Sequence, residues 1–356
     1  MVDQKPENKR VLLGMSGGLD STMSALLLHK QGYEVHGVTL KTWHVNSEKQ
    51  EKDLIKAEQL AHKLGIDHSI FDISSTFKKN VVDYFCDEYL RGRTPNPCNR
   101  CNPMIKWPRL MEMADAFDCR YIATGHYVQK VKTNNKWYIK KGVDPSKDQS
   151  YFLWNLNQDI LNRAIFPLGK LTKEEVRELA LSNGLENVAD QKESMGVCFL
   201  DNLNYRDFLQ KKHDDREIDI QEGEIVNESG KVIGKHQGIP FFTIGQKRGL
   251  NLEDKSYRVI DLDSENNRVV VSKTANLETS QLTLKSFYLS ESLYENEAEE
   301  VHIRIRGLDK VPPIPGRITH IEGGLNVIFD VPAWAITPGQ SIVFYQNDLV
   351  IGGGIY

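Results

Sequence analysis

Val11-Leu12-Leu13-Gly14-Met15-Ser16-Gly17-Gly18-Leu19-Asp20-Ser21-Thr22 is the stretch on which the fold turns. Val11–Met15 reads as a buried strand, Ser16-Gly17-Gly18 as a tight turn, and a helix opens at Asp20 carrying Met23, Leu26, Leu27 and Leu28. Two glycines let backbone N–H groups close on an anion. The start of the helix adds the positive end of its dipole, so a phosphate can be held there without a lysine. The spacing is neither Gly-x-x-x-x-Gly-Lys-Ser/Thr nor Gly-x-Gly-x-x-Gly.

Outward from this turn, short apolar runs alternate with helix-period segments for about 200 residues. Tyr33–Lys41, Ile66–Ile73 and Arg120–Tyr127 are strand candidates, and 51–64, 76–90 and Met104–Phe117 are helix candidates. Thr172 and Glu175 form a capping box for a helix through Val176, Leu179 and Ala180. Such alternation predicts an α/β domain with a parallel sheet covered on both faces. After Asp201 the pattern changes to short strands at even spacing: Gly223–Val226, Lys231–Ile233, Tyr257–Leu262 and Arg268–Ser272, then Gln281–Ser290, Glu300–Arg306, Arg317–Ile321, Asn326–Phe329 and Ser341–Tyr345. The division expected is 1–200, 201–275 and 276–356, the last two small and β-rich and the last a β-barrel.

Composition narrows the class. The chain has 356 residues and a net charge of −4, with no apolar run of the ~18 residues a membrane helix needs. The first ten residues are polar and show no secretory pattern, so a cytoplasmic protein without membrane contact is expected. Residues 91–147 hold 12 Lys/Arg against 4 Asp/Glu, a basic block suited to a polyanion, whereas 276–356 hold 5 against 10. Five cysteines are an odd set with no disulfide framework. Cys86 and Cys119 sit in apolar segments and read as buried; Cys98, Cys101 and Cys198 do not sort so simply.

Gly92-Arg93-Thr94-Pro95-Asn96-Pro97-Cys98-Asn99-Arg100-Cys101-Asn102 reads as loop, because its prolines oppose helix and central strand. Cys101, before Pro103 and flanked by Arg100 and Lys106, is expected at a helix start with a lowered pKa. Cys198 lies after a glycine in Glu193-Ser194-Met195-Gly196-Val197-Cys198-Phe199-Leu200; taken alone it reads as a core cysteine.

Ser-Gly-Gly-x-Asp-Ser resembles the signature of the PP-loop ATP pyrophosphatases, with their adenine nucleotide alpha hydrolase-like fold, which cleave ATP between the α and β phosphates. The resemblance sharpens with Gly92-Arg93-Thr94-Pro95-Asn96-Pro97, Ala123-Thr124-Gly125-His126-Tyr127, Lys147-Asp148-Gln149-Ser150-Tyr151-Phe152-Leu153, Gly196-Val197-Cys198-Phe199, His236-Gln237-Gly238, Thr243-Ile244-Gly245-Gln246-Lys247-Arg248-Gly249, Thr337-Pro338-Gly339-Gln340 and Gly352-Gly353-Gly354-Ile355. In this order, over nearly the whole chain, they are similar to the tRNA-specific 2-thiouridylases (MnmA/TrmU).

That resemblance implies ATP and Mg2+ as cofactors, and as partners a tRNA with a wobble uridine and a persulfide-donating sulfur carrier or cysteine desulfurase. Ser16, Gly17, Gly18, Leu19, Asp20 and Ser21 would grip the pyrophosphate, Asp20 would help hold magnesium, and Gly14, Met15, Leu40 and Gly125 would line the ATP site. Cys198 would carry the persulfide and Cys101 would resolve it. Asn96, Pro97 and Cys98 would meet the target base. His126, Lys147, Asp148, Gln149, Arg304, Ile305 and Gln340 would lie at the tRNA surface, although Ile305 stands where an aromatic residue is expected. Many members carry aspartate where this chain has Cys98.

Cys98-x-x-Cys101 with Cys198 also leaves open a thiolation that depends on an iron–sulfur cluster held by these three residues. A zinc site would need a fourth ligand that no spacing identifies. Two further alternatives stand beside thiolation. One is a PP-loop enzyme that adenylates a different substrate. The other is a non-catalytic tRNA-binding protein with a structural metal.

Overall fold

The computed structural model describes residues 8–191, 196–201, 203–290, 299–307 and 312–356. Glu193–Met195 of the Cys198 motif lie outside them. Two compact units emerge: one holds the chain up to Lys78 together with Cys98–Asp201 and Asp348–Val350, the other holds Lys79–Pro97, Asn202–Asn347 and Ile351–Tyr356. No helix among the described residues is long and apolar enough to cross a membrane.

The first unit is built on a five-stranded sheet. Its strands are β1 (Arg10–Gly14), β2 (Glu34–Lys41), β3 (Asp67–Asp72), β4 (Tyr121–Ala123) and, after a hairpin of β5 (Val128–Thr133) and β6 (Lys136–Lys141), β7 (Ala164–Ile165). Their order is β3-β2-β1-β4-β7, all parallel, as the alternation of the sequence requires. Val11, Leu12 and Leu13 are fully buried, which is why β1 is a continuous apolar run rather than an alternating one. On one face, Val11, Leu13 and Met15 pack with Ala25 and Leu28 of α1 (Leu19–Lys30) and Ala61 of α2 (Ser47–Lys63). Burying such side chains is worth about 1.5–3 kcal/mol each.

The strand order reverses at β1: β2 and β3 lie on one side, β4 and β7 on the other. Open parallel sheets take their ligands outside the carboxyl ends of the strands at this switch. The turns that leave β1 and β4 are Ser16-Gly17-Gly18 and Thr124-Gly125-His126. Topology alone therefore brings the glycine turn and the Ala-Thr-Gly-His motif to one crevice.

Two local expectations need correction. Residues 97–101 are helical rather than loop: Pro97 opens the helix Pro97–Cys101, and a π-helical turn Asn102–Lys106 joins it to the helix Trp107–Ala116. Proline is tolerated in a first turn because its missing N–H would have no partner there. The wide π turn absorbs Pro103, which cannot give the hydrogen bond of an ordinary helix interior. The β5–β6 hairpin was not anticipated, since its lysines mask the alternation. Asn134 and Asn135 at φ 48° and 63° make the tight left-handed turn that joins it.

The second unit carries the short strands. β8 (Gly223–Asn227), β9 (Val232–His236), β10 (Arg258–Asp263) and β11 (Arg268–Ser272) form a sheet in the order β10-β11-β8-β9, around Ile225, Phe242, Leu250, Val259, Val269 and Val271. The remaining strands are β12 (Glu278–Leu284), β13 (Ser286–Leu289), β14 (Glu299–Arg304), β15 (Ile314–Ile321), β16 (Gly324–Trp334), β17 (Ser341–Gln346) and β18 (Leu349–Ile355). They run β12-β16-β15-β14-β17-β18, with β13 paired to β18.

Candidate active site: a nucleotide turn and three gathered thiols

After β1 the backbone closes into a ring of hydroxyls and amides. The Ser16 amide donates to Ser21 Oγ at 3.1 Å, and the Ser21 and Thr22 hydroxyls donate to the Gly18 carbonyl at 3.2 and 2.9 Å. Gly17 has φ +72°, and a Cβ there would stand 3.0 Å from the Ala57 amide nitrogen of α2. Glycine is required at this position on both counts. Met15 is tied at both ends, its amide to the Val38 carbonyl at 2.8 Å and its carbonyl to the Thr39 hydroxyl at 2.7 Å. Gly14 pairs in register with Val38, and Leu40, half-buried, pairs with Phe71 along β2. Leu19 is buried at the start of α1. Across the crevice, a Cβ on Gly125 would fall 2.9 Å from the backbone of Asp20, so the turn after β4 rests directly on α1.

Asp20 is not free within this ring. Its Oδ1 accepts from Tyr127 Oη at 2.7 Å and from Lys173 Nζ at 2.7 Å. Lys173 is the first residue of the helix Lys173–Ser182, whose capping box is present as expected. A cation at a helix start opposes the dipole, and the Lys173 side chain is only 8% exposed. The ion pair with Asp20, along with the Tyr127 ring 5.5 Å from its ammonium, answers both costs. Sequence reasoning missed Lys173, because its partner lies 153 residues away. A carboxylate beside serine hydroxyls is a hard oxygen set suited to magnesium shared with phosphates. Asp20 is the residue that would hold it.

Cys98 and Cys101 lie in the helix Pro97–Cys101, and Cys198 opens the short turn Cys198–Leu200. Distant in sequence, they are neighbours in space: both Cys98 and Cys101 act electrostatically on Cys198. Burial pushes the Cys198 thiol up to about 12, its two thiol neighbours add to the rise, and Lys106 opposes it. The residue as a whole nonetheless counts as exposed to solvent. Burial likewise raises Cys98 to about 11, against the pull of Lys106.

Cys101 overturns the expectation of a lowered pKa. It lies at the junction of the helix Pro97–Cys101 with the π-helical turn that follows, and burial raises the thiol despite Lys106. Among the described residues, no set of three His, Cys, Asp or Glu side chains has an arrangement that would hold a metal ion.

Among the described residues, the turn bearing Cys198 is anchored through Phe199 and Asp201. Phe199 meets the rings of Trp43 and Phe77, and its carbonyl accepts from the Val45 amide. Asp201, in the left-handed region at φ 49°, accepts from Lys49 Nζ at 2.8 Å and faces His44 Nδ1 at 3.4 Å. Gly196, at φ +104°, has open space where a Cβ would be.

The residues assigned to tRNA by resemblance divide. Asn96 and Pro97 end one stretch of the second unit, immediately before Cys98. Lys147 is half-buried. His126 bonds to the Thr124 hydroxyl at 2.6 Å and stacks on Trp107, and burial holds its pKa well below the usual value, so it is a neutral ring. Asp148 accepts from the Gly142 and Ser150 amides and the Ser150 hydroxyl, and Gln149 accepts from the Tyr127 amide; both brace the loop. In the second unit, Arg304 donates to the Arg306 and Gly307 carbonyls, and Gln340 donates to the Thr94 carbonyl at 2.6 Å. Ile305 is buried, which corrects its placing at a tRNA surface: the apolar side chain faces inward after β14.

Three family models match in succession: a tRNA methyl transferase HUP domain over residues 9–202, a tRNA methyl transferase PRC-barrel domain over 206–273 and an aminomethyltransferase beta-barrel domain over 279–356. A protein of Phocaeicola vulgatus named tRNA-specific 2-thiouridylase MnmA 3 is 42% identical over 355 residues, covering 97% of this chain and 94% of its own. The tRNA-specific 2-thiouridylase MnmA of Cytophaga hutchinsonii is 40% identical over 364 residues, with 97% and 96% covered. Among solved structures, the U34-tRNA thiolase NcsA of Methanococcus maripaludis with its [4Fe-4S] cluster is 21% identical with a TM-score of 0.37, covering 61% of this chain and 69% of that one. A likeness that loose carries no chemistry across.

Proposed function

The chain belongs to the tRNA-specific 2-thiouridylase family, and from that membership we propose how its residues divide the work of ATP-dependent tRNA thiolation. It is an enzyme that uses ATP and takes tRNA as its substrate. The target is the uridine at the wobble position, splayed out of the anticodon loop so that its 2-carbonyl reaches the site.

A carbonyl oxygen is a poor leaving group, and adenylation makes it a good one. The uridine O2 attacks the α-phosphate of ATP, the α–β bond breaks, and pyrophosphate departs into the amides of Gly17 and Gly18 and the start of α1. Bound at Asp20, magnesium would supply further charge neutralisation. The outer sulfur of a persulfide on Cys198 attacks C2, and AMP leaves with the bonding pair. Cys101 then attacks the inner sulfur, releasing the 2-thiouridine and leaving a Cys101–Cys198 disulfide. Two external electrons, from a dithiol, reset the pair. A sulfur carrier or cysteine desulfurase recharges Cys198, in the cytoplasm, where thiols stay reduced. Asn96, Pro97 and Cys98 flank the base, and the basic block 91–147 holds the phosphates beside it.

What supports the reading most is that Cys101 lies near enough to Cys198 to act on it electrostatically, in the unit that also carries Ser16–Ser21. The test is transfer of labelled sulfur to tRNA with ATP. Cys198→Ala and Cys101→Ala should each abolish it while ATP still binds. Transfer that survives Cys198→Ala rules the mechanism out.

A further inference from the structure

Thiol exchange needs one sulfur more than sulfur delivery does, and the site contains it. Cys98 and Cys101 stand three residues apart in one helix. Residues so spaced have Cα atoms about 5 Å apart by helix geometry, within the roughly 4.4–6.8 Å that a disulfide accepts. Their Cβ atoms, about 5–6 Å apart in a regular helix, must approach by about 1–2 Å to reach disulfide geometry. The helix is only five residues long and borders the π-helical turn Asn102–Lys106, where the regular ladder is already broken. Both cysteines also lie near enough to Cys198 to act on it electrostatically. Cys86 lies in the other unit, and Cys119 donates to the Phe117 carbonyl.

We propose that Cys98 regenerates Cys198: its thiolate attacks the Cys101 sulfur of the Cys101–Cys198 disulfide, the bond moves to Cys98–Cys101, and Cys198 leaves as a thiolate. No net oxidation occurs. Cys98 gives up its proton, Cys198 takes one up, and the two-electron debt passes intact to the Cys98–Cys101 pair, which an external dithiol then reduces. The exchange is useful because a Cys198 bonded to Cys101 cannot meet a sulfur donor. Released, it returns to the turn anchored by Phe199 and Asp201. Discharge and recharging of Cys198 are thereby separated from reduction of the site. The inference rests on the thiolation reading above.

The experiment follows one turnover. Protein loaded with persulfide receives ATP, magnesium and unmodified tRNA, is quenched in acid, alkylated, and mapped by peptide mass spectrometry. Wild type should show Cys98 joined to Cys101 and an alkylated Cys198. Cys98→Ser should instead trap Cys101 joined to Cys198. With limiting dithiol, the ratio of steady-state to first-turnover thiolation should fall about tenfold in Cys98→Ser. The ratio cancels any change in base contact at position 98. A wild-type map that retains Cys101–Cys198 with Cys98 alkylated overturns the proposal. So does an unchanged ratio. Failure to form thiouridine in the first turnover counts against the thiolation reading instead, so the two failures are told apart.

Discussion

Ser16–Ser21 and Gly196–Asp201 serve the same crevice-bearing unit, yet they are held in different ways. The first is fastened throughout: Ser16 to Ser21, Ser21 and Thr22 to Gly18, Gly17 against α2, and Asp20 under both Gly125 and Lys173. The second is fastened through Phe199 and Asp201, and a Cβ on Gly196 would meet open space. A group that receives charge in a transition state gains from fixed dipoles that need no reorganisation. A sulfur that must visit a donor, a base and another thiol needs no such ring of fixed dipoles around it. The contrast predicts that damage to the two segments separates into different steps.

The largest effect should follow Gly125→Val. The added side chain meets the Asp20 backbone, and a displacement of about 1 Å costs roughly a hundredfold in rate. Pyrophosphate release in the presence of tRNA is the measurement, and sulfur loading on Cys198 should be untouched. Loss of both at once would dissolve the distinction between the segments. Lys173→Met comes next. Removing the buried ammonium that orients Asp20 should slow pyrophosphate release by roughly thirtyfold, again with Cys198 loading intact. Unchanged release would mean that the Lys173–Asp20 pair is only a fold contact.

Asp201→Ala addresses the other side. It removes the acceptor for Lys49 and places alanine at φ 49°, where a Cβ is strained. Sulfur transfer to tRNA should fall about tenfold, with pyrophosphate release preserved. Asp201→Gly separates the two causes, since glycine keeps the backbone and loses only the ion pair. If glycine restores full transfer, the backbone conformation anchors the turn and the Lys49 contact does not.

The same contrast explains what could be read from the sequence. The glycine turn, the strand–helix alternation behind the parallel sheet and the capping box at Thr172 are local patterns, and each appears where its residues are; the two-residue edge strand Ala164–Ile165 gives no such signal. The pairing of Lys173 with Asp20, and of Asp201 with Lys49, spans 153 and 152 residues and leaves no local signal. Cys101 shows the limit most clearly. Its flanking Arg100 and Lys106 suggest a stabilised thiolate, but burial is a tertiary quantity and outweighs them. Ile305 and Gln340 were legible as motif positions; whether they face inward or outward was not. The β5–β6 hairpin leaves a turn signal at Asn134-Asn135, but the lysines of its strands mask their alternation.

The smallest effect concerns the electrostatics of the Cys198 sulfur. Cys198 is raised by burial and by Cys98 and Cys101, and lowered by Lys106, so it is a neutral thiol at pH 7. A thiol alkylates through its thiolate, so reactivity must grow as pH rises toward the pKa. Alkylation of Cys198 should therefore increase about tenfold per pH unit between 7 and 10, without a plateau. Lys106→Met removes a cation that favours the thiolate and should slow the reaction about threefold at fixed pH. Cys98→Ser removes a neighbour that disfavours it and should act in the opposite sense. A plateau near pH 8 would mean that Cys198 ionises far more readily than its burial and its thiol neighbours allow.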